Sequence, residues 1–242
     1  NDVRDFNGDC SYSYTRIGGH EYCGVIEKMG SAVNKERFHE GQKVVQYIID
    51  DCKECYFCKH GEENICEEHP KSKIFHNSDG LSGYGGFAEF VAAKAEDLFV
   101  YPEDTSFEKM AFTEPLACVA NSISRTDIQF GDDVAVIGGG TMGLLHVILA
   151  KMKGARVILS EPLAERREKA KELGCDDVIN PVETDPVEEI KKLTDGRGAL
   201  MVFNTTAIPA VAAQAVEMTA KTGTTVMFSS MHPNDPVPVD MG

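Results

Sequence analysis

A glycine-rich turn between an apolar strand and a helix constrains the fold of this chain more than any other feature. The residues DDVAVI form a short apolar strand, and GGGTMG (138–143) follows at once. Gly138 would permit a tight turn, Gly140 would let the backbone approach a pyrophosphate, and Gly143 would let the next helix pack close to the strand. The pattern therefore predicts a phosphate site at a helix N-terminus, with the backbone of Met142 against the phosphates.

Short apolar strands alternate with helical segments through the second half of the chain. This alternation predicts a doubly wound parallel sheet, with a sixth strand expected beyond residue 242. We predict strands at residues 132–137, 155–160, 177–180, 199–204 and 224–229, and helices at residues 144–153, 186–193 and 210–220.

An acidic residue, Glu161, ends the second of these strands. It lies at the distance expected for a carboxylate that accepts hydrogen bonds from the adenosine ribose hydroxyls. A carboxylate at this position would repel a 2′-phosphate, so the sequence predicts NAD in preference to NADP. Arg166 and Arg167 follow on the next helix. Taken alone, both are better interpreted as solvated helix charges.

Four cysteines in residues 51–67 show C-x2-C-x2-C-x7-C spacing and make up half of the eight cysteines in the chain. Four thiolates can complete a tetrahedral zinc site, which leaves no position for a substrate. Ferredoxin clusters share the opening spacing, but their last spacing is shorter and a proline follows, whereas Glu67 follows here. Disulfides are a second alternative, but the spacing is more typical of metal. We predict a structural zinc held by Cys52, Cys55, Cys58 and Cys66.

His20 and Glu21 follow two glycines in GGHEYCGVIE (18–27). A neutral imidazole is the commonest zinc ligand, and an adjacent carboxylate can bind the ion or stand behind it. Neighbouring residues on a strand point to opposite faces, so both side chains could reach one metal only where the glycine turn breaks that alternation. Taken alone, such a pair is more often a polar pair on the surface.

The order of the motifs resembles the zinc-dependent medium-chain alcohol and polyol dehydrogenases. Gly-His-Glu, GQKVV (41–45), the four-cysteine lobe, GGFAEF (85–90) and the glycine-rich turn follow one another along nearly the whole chain. The resemblance implies an α/β protein with a GroES-like, mainly-β catalytic domain at residues 1–115 and a Rossmann NAD-binding domain at residues 116–242. It also implies a second zinc ion, which is catalytic.

The same resemblance implies which residues form the catalytic site. His20 corresponds to the zinc histidine, Glu21 to the glutamate beside it, and Glu114 to the third position, as in the sorbitol and threonine dehydrogenase branch. Arg166 corresponds to a basic residue that reaches the cofactor. From the residues alone, Glu114 could instead be an acid in the first turn of a helix that Pro115 opens.

The chain departs from the family pattern at its start. By the resemblance, the first zinc ligand is a cysteine that would lie just before residue 1, Asn1 takes the place of a proton-relaying hydroxyl, and Arg4 takes the place of a relay histidine. We therefore expect a chain that is cut short at both ends, without the segment that returns to the catalytic domain.

The net charge of −15, from 24 basic and 39 acidic residues, argues against binding to nucleic acid or to an anionic membrane. The longest apolar run, residues 134–150, contains the glycine turn and His146, so we expect no membrane span. We predict a cytoplasmic, homo-oligomeric, zinc-dependent oxidoreductase that transfers hydride between NAD and a small secondary alcohol or polyol. A non-catalytic, zinc-stabilised NAD-binding module and a zinc-independent reductase of the same fold remain as alternatives.

Overall fold

The computed structural model of the protein describes residues 16–68, 83–229 and 236–237. Asn1 and Arg4, the two predicted relay positions, lie outside the described residues. The chain forms two compact units, Asn1–Glu114 and Pro115–Gly242. The division falls inside one helix, Thr113–Ser124.

The first unit contains a small antiparallel sheet whose three strands lie in the order β1-β2-β3. These strands are β1 (Cys23–Val25), β2 (Lys43–Gln46) and β3 (Leu98–Val100). Two short α-helices accompany it among the described residues of this unit, α1 (Tyr56–Lys59) and α2 (Phe107–Ala111). The side chain of Ser106 caps α2 by accepting a hydrogen bond from the Lys109 backbone, because the first N–H groups of a helix have no partner within it.

The second unit is built around a parallel sheet with the strand order β6-β5-β4-β7-β8 in the described residues. Its elements are α3 (Thr113–Ser124), β4 (Asp133–Ile137), α4 (Thr141–Met152), β5 (Arg156–Ser160), α5 (Ala164–Glu172), β6 (Asp177–Ile179), α6 (Pro186–Leu193), β7 (Ala199–Asn204), α7 (Pro209–Glu217) and β8 (Thr219–Met227). The strand order reverses between β4 and β7, and ligands of such sheets bind in the crevice at the carboxyl ends of those strands.

The core of the second unit covers both faces of this sheet. Val134 and Val136 pack into one apolar cluster with Val157, whereas Ala135 and Ile158 pack into the other. Strands that are buried on both faces have continuous apolar sequences, and such apolar runs are the basis of the strand predictions above. The parallel sheet confirms the predicted α/β class. None of the helices in the described ranges combines the length and the apolar composition that crossing a bilayer requires.

Three predicted boundaries in this unit differ from the structure by three residues or more. The helix after the glycine turn begins at Thr141 instead of residue 144, so the last three residues of GGGTMG belong to the helix. The prediction of helix up to residue 220 is wrong, because Thr219 already pairs with Ala199 in the parallel ladder. The last strand therefore begins at residue 219 instead of residue 224, and it ends at Met227.

Candidate functional site

The four cysteines of the first unit converge on one point. Cys55 precedes helix α1, Cys58 lies within it, and Cys66 follows a short turn of 3-10 helix. The Sγ atom of Cys55 lies 3.4 Å from that of Cys58 and 4.0 Å from that of Cys66, and the Sγ atoms of Cys52 and Cys58 are 3.9 Å apart. Tetrahedral zinc with Zn–S bonds of about 2.3 Å requires sulfurs about 3.8 Å apart. The spacing of these thiols therefore fits a zinc ion.

Backbone N–H groups in this lobe point at the sulfurs. The Sγ atom of Cys52 accepts hydrogen bonds from the backbones of Glu54, at 3.4 Å, and Cys55, at 3.2 Å. Hydrogen bonds from the backbones of Cys58 and Glu67 lower the pKa of the Cys55 thiol to about 6. Metal ligation requires thiolates, and these amides stabilise the thiolate form of Cys55, whereas burial raises the pKa of Cys58 to about 12.

His20, Glu21 and Glu114 come together in the first unit, where one ligand atom from each lies within 4.8 Å of the others. The Nε2 atom of His20 is 3.9 Å from Oε1 of Glu21. Both residues precede β1, which begins at Cys23, so they lie in the glycine turn and not in the strand. Because the irregular backbone here does not force alternation, the two neighbouring side chains can approach the same point.

A second glycine pair holds the backbone that carries His20. Gly19 has a φ of +82°, and a Cβ atom there would lie 2.9 Å from the backbone of Gly86 and Phe87, which only glycine tolerates. Three backbone hydrogen bonds join the two segments: Gly85 N to Ile17 O at 3.1 Å, Phe87 N to Gly18 O at 3.1 Å, and Gly86 N to Gly19 O at 3.0 Å. The motifs GGHE and GGFAEF therefore form one local structure.

Two tyrosines that the sequence did not single out lie beside His20. The ring of Tyr84 is 5.9 Å from the imidazole, centroid to centroid. The hydroxyl of Tyr22 lies 2.7 Å from Oε1 of Gln46 and 3.1 Å from the carbonyl oxygen of Tyr84. Burial raises the pKa of Tyr22 to about 12, so it stays a neutral donor that restrains Tyr84. Nothing in the local sequence links these residues, because the contacts are long-range.

In the second unit, the glycine-rich turn lines a cavity of about 650 Å³ at the carboxyl ends of the strands. Gly138 turns the chain with a φ of +95°. A Cβ atom on Gly143 would overlap the carbonyl oxygen of Gly138, so α4 can approach the turn only with glycine there. Gly140 has open space around it and directly precedes α4, which leaves its backbone accessible to an anion.

Glu161 lies in this cavity with only 3% of its surface exposed. Its Oε2 atom accepts a hydrogen bond from the backbone N–H of Gly139 at 2.6 Å, and its Oε1 atom accepts one from Leu163 at 2.9 Å. Arg166 is 3.9 Å from Oε2 and lines the cavity. Arg167 instead donates to the carbonyl oxygens of residues 161 and 162. The two arginines thus have different roles, which their sequence positions do not distinguish.

The sequence did not predict several residues that line this cavity, and three of them are polar or apolar residues of one loop. They belong to the loop between β7 and α7: Thr205, Thr206 and Ile208. Their position directly after an apolar strand was the available signal, since the loop after the strand beside β4 borders the crevice in a doubly wound sheet.

The amino-acid sequence is similar to two protein families and to several curated proteins. Residues 1–103 match the alcohol dehydrogenase GroES-like domain, and residues 141–241 match the zinc-binding dehydrogenase family. A sorbitol dehydrogenase of Halalkalibacterium halodurans is 33% identical, over 92% of this chain and 63% of its own length. A 2-dehydro-3-deoxy-L-galactonate 5-dehydrogenase of Pseudoalteromonas atlantica is 32% identical, over 99% and 67%. The chain thus spans about two thirds of the length of these curated relatives.

Solved structures resemble this chain in fold. A zinc-binding dehydrogenase from Sinorhizobium meliloti bound to NADP has a TM-score of 0.88 and 29% identity, covering 99% of this chain and 68% of its own. An alcohol dehydrogenase from Escherichia coli complexed with NADH has a TM-score of 0.82 and 27% identity, covering 99% and 67%. The resemblance in fold therefore extends over both units.

Proposed function

The chain belongs to the zinc-dependent medium-chain dehydrogenase family, and we propose that the protein that contains it oxidises a secondary alcohol or polyol with NAD. The convergence of His20, Glu21 and Glu114 within 4.8 Å is the observation that carries the proposal. In this proposal, residues 1–115 form the catalytic domain and residues 116–242 bind the cofactor. The named activities of the relatives, on sorbitol and on a sugar acid, support a hydroxylated small molecule as the substrate.

We assign the structural zinc to the four-cysteine lobe and the catalytic zinc to the His20 cluster. An imidazole and carboxylates are suitable donors for zinc, and catalytic zinc sites use three protein ligands and keep a fourth position open. Zinc bound there would polarise an alcohol oxygen as a Lewis acid. The nicotinamide of NAD would accept the hydride. Glu21 and Glu114 contribute two negative charges that would offset the charge of a divalent ion, and the Tyr84 ring lies beside the imidazole.

For the cofactor, we propose NAD bound along the cavity of the second unit. The backbone of Gly140 and Met142 at the start of α4 would hold the pyrophosphate, and Gly138 and Gly143 would let the turn and the helix lie close together. Relatives of this fold bind either NADP or NADH. The buried carboxylate of Glu161 favours NAD in this chain, because a 2′-phosphate would meet a like charge at close range.

The test is spectrophotometric detection of NADH formed from NAD over a panel of polyols, secondary alcohols and threonine, with zinc-loaded samples of the protein that contains this chain. We expect turnover with at least one polyol or secondary alcohol and none for Glu114→Ala. Glu108→Ala is the matched control, because Glu108 also lies in the first turn of a helix but outside the cluster. Nucleotide binding without turnover on any alcohol would favour the non-catalytic module. Full activity of Glu114→Ala would favour the zinc-independent reductase.

A further inference from the structure

The carboxyl ends of β4 and β7 meet where the strand order reverses. Ile137 and Asn204 are the last paired residues of these two strands. The next residue of β4 is Gly138, the first residue of the glycine-rich turn, and the next residue of β7 is Thr205. A residue at this point can act on the turn from the opposite side of the crevice to Glu161.

Thr205 is fixed in place through both of its backbone groups. Its N–H donates to the carbonyl oxygen of Ile137 at 3.0 Å. Its own carbonyl oxygen accepts a hydrogen bond from the Ser229 hydroxyl at 2.7 Å. A side chain with its backbone anchored in this way presents its hydroxyl in a defined direction.

That hydroxyl points at the beginning of the turn. The Oγ1 atom of Thr205 donates to the carbonyl oxygen of Ile137 at 2.8 Å and lies 3.3 Å from that of Gly138. A Cβ atom built on Gly138 would be 2.8 Å from the same Oγ1, and one built on Gly143 would be 3.2 Å from it. The Thr205 hydroxyl therefore occupies the space that the two glycines leave beneath the turn.

The turn needs such a support because glycines carry more conformational freedom than other residues. Its other side is held by a hydrogen bond from Gly138 N to Ser160 O at 2.9 Å and by the bond from Gly139 N to Glu161. Without a contact from the β7 side, part of the ordering of the turn would have to occur during ligand binding, at a cost in affinity.

Building on the proposed function, we propose that Thr205 is a positioning residue for the dinucleotide, which acts by holding the Gly138 end of the turn in its binding conformation. The neighbouring Thr206 does not share this role. Its hydroxyl bonds to Oδ1 of Asn204, within its own loop, at 2.8 Å.

The test is NAD affinity measured by isothermal titration calorimetry. Thr205→Val removes the hydroxyl at nearly constant volume, and Thr205→Ser retains it. The matched control is Thr126→Val, because Thr126 is also half-buried in the second unit and its hydroxyl also donates to a backbone carbonyl at 2.8 Å. We expect the Kd for NAD to rise roughly fivefold to tenfold in Thr205→Val, from the loss of one hydrogen bond, and to stay within about twofold of wild type in the other two variants.

The outcomes separate this inference from the function on which it rests. Absence of NAD binding by the wild type would refute the proposed cofactor. If the wild type binds NAD and Thr205→Val has the same Kd, the role of Thr205 is overturned. The role is also overturned if Thr205→Ser raises the Kd as much as Thr205→Val does, because the methyl group and not the hydroxyl would then be responsible. Should Thr205→Val fail to fold, Ser229→Ala gives a second test through the loss of the hydrogen bond to the Thr205 carbonyl. It should raise the Kd roughly threefold, and an unchanged Kd would overturn the inference.

Discussion

Replacing Glu161 with glutamine alters one oxygen of a side chain that is 3% exposed. In the wild type both carboxylate oxygens accept a backbone N–H, from Gly139 at 2.6 Å and from Leu163 at 2.9 Å. An amide has one oxygen, so one of these N–H groups must face an NH2 group, which is itself a donor. The substitution therefore removes one hydrogen bond, leaves a buried donor without a partner, and weakens the remaining bond by removing its charge.

The magnitude follows from these changes. A hydrogen bond to a charged group contributes about 1.5–3 kcal/mol, and a stranded buried donor costs about 1–3 kcal/mol. Relief of the buried charge offsets part of this loss. We expect Glu161→Gln to lower the free energy of unfolding of the second unit by about 2–3 kcal/mol, without nucleotide present. With the charge gone, the preference for NAD over NADP should also decrease.

The assay is urea unfolding followed by far-ultraviolet circular dichroism. The chain has no tryptophan, and its seven tyrosines all precede residue 115, so tyrosine fluorescence would not report on this unit. Glu172→Gln is the control, because Glu172 is exposed and pairs with Lys169 at 2.8 Å on a helix surface; it should change stability by less than about 0.5 kcal/mol. A Glu161→Gln protein as stable as this control would refute the reasoning.

Three further predictions concern other buried features. Gly143→Ala should abolish NAD binding in calorimetry, because the new Cβ would overlap a carbonyl oxygen of the turn, whereas Gly30→Ala, with open space around it, should not. Burial lowers the pKa of His146 below its usual 6.5, so the unfolded chain takes up a proton that the folded chain does not. The contribution of His146 to the free energy of unfolding should therefore fall as the pH drops below about 6.5, by at most about 1.4 kcal/mol per pH unit, and His146→Gln should weaken this dependence in urea titrations. Cys66→Ala should release one zinc ion per chain and expose residues 51–67 to limited proteolysis, whereas Cys175→Ala, which removes a buried thiol outside the lobe, should do neither.

The parallel sheet could be predicted because its signals are local. The apolar strand before Gly138 and the glycines after it report the turn directly, since each residue has a steric reason within a few positions. The start of β8 at Thr219 could not be predicted, because it depends on pairing with Ala199. Local helix propensity continues past that point, and the tertiary ladder overrides it.

In the candidate site, too, the features with local sequence signals could be predicted and those that depend on distant contacts could not. The spacing of the cysteines predicts their convergence, because short loops keep the sulfurs close whatever the rest of the chain does. The approach of Glu114 to His20 came from the family resemblance and not from the residues, since the two are far apart in sequence. The supports of the two sites, Tyr84 beside the imidazole and Thr205 beneath the turn, depend on contacts between distant segments that no local pattern encodes.

The most direct measurement of the central claim is the number of zinc ions per molecule of the protein that contains this chain, by plasma mass spectrometry after purification without chelator. Two zinc ions per chain are predicted in the wild type, one in the four-cysteine lobe and one at the cluster of His20, Glu21 and Glu114. His20→Ala should retain only the lobe ion. A wild-type protein that holds a single ion, with the same content in His20→Ala, would contradict the proposed catalytic zinc, and a protein that holds none would contradict both sites.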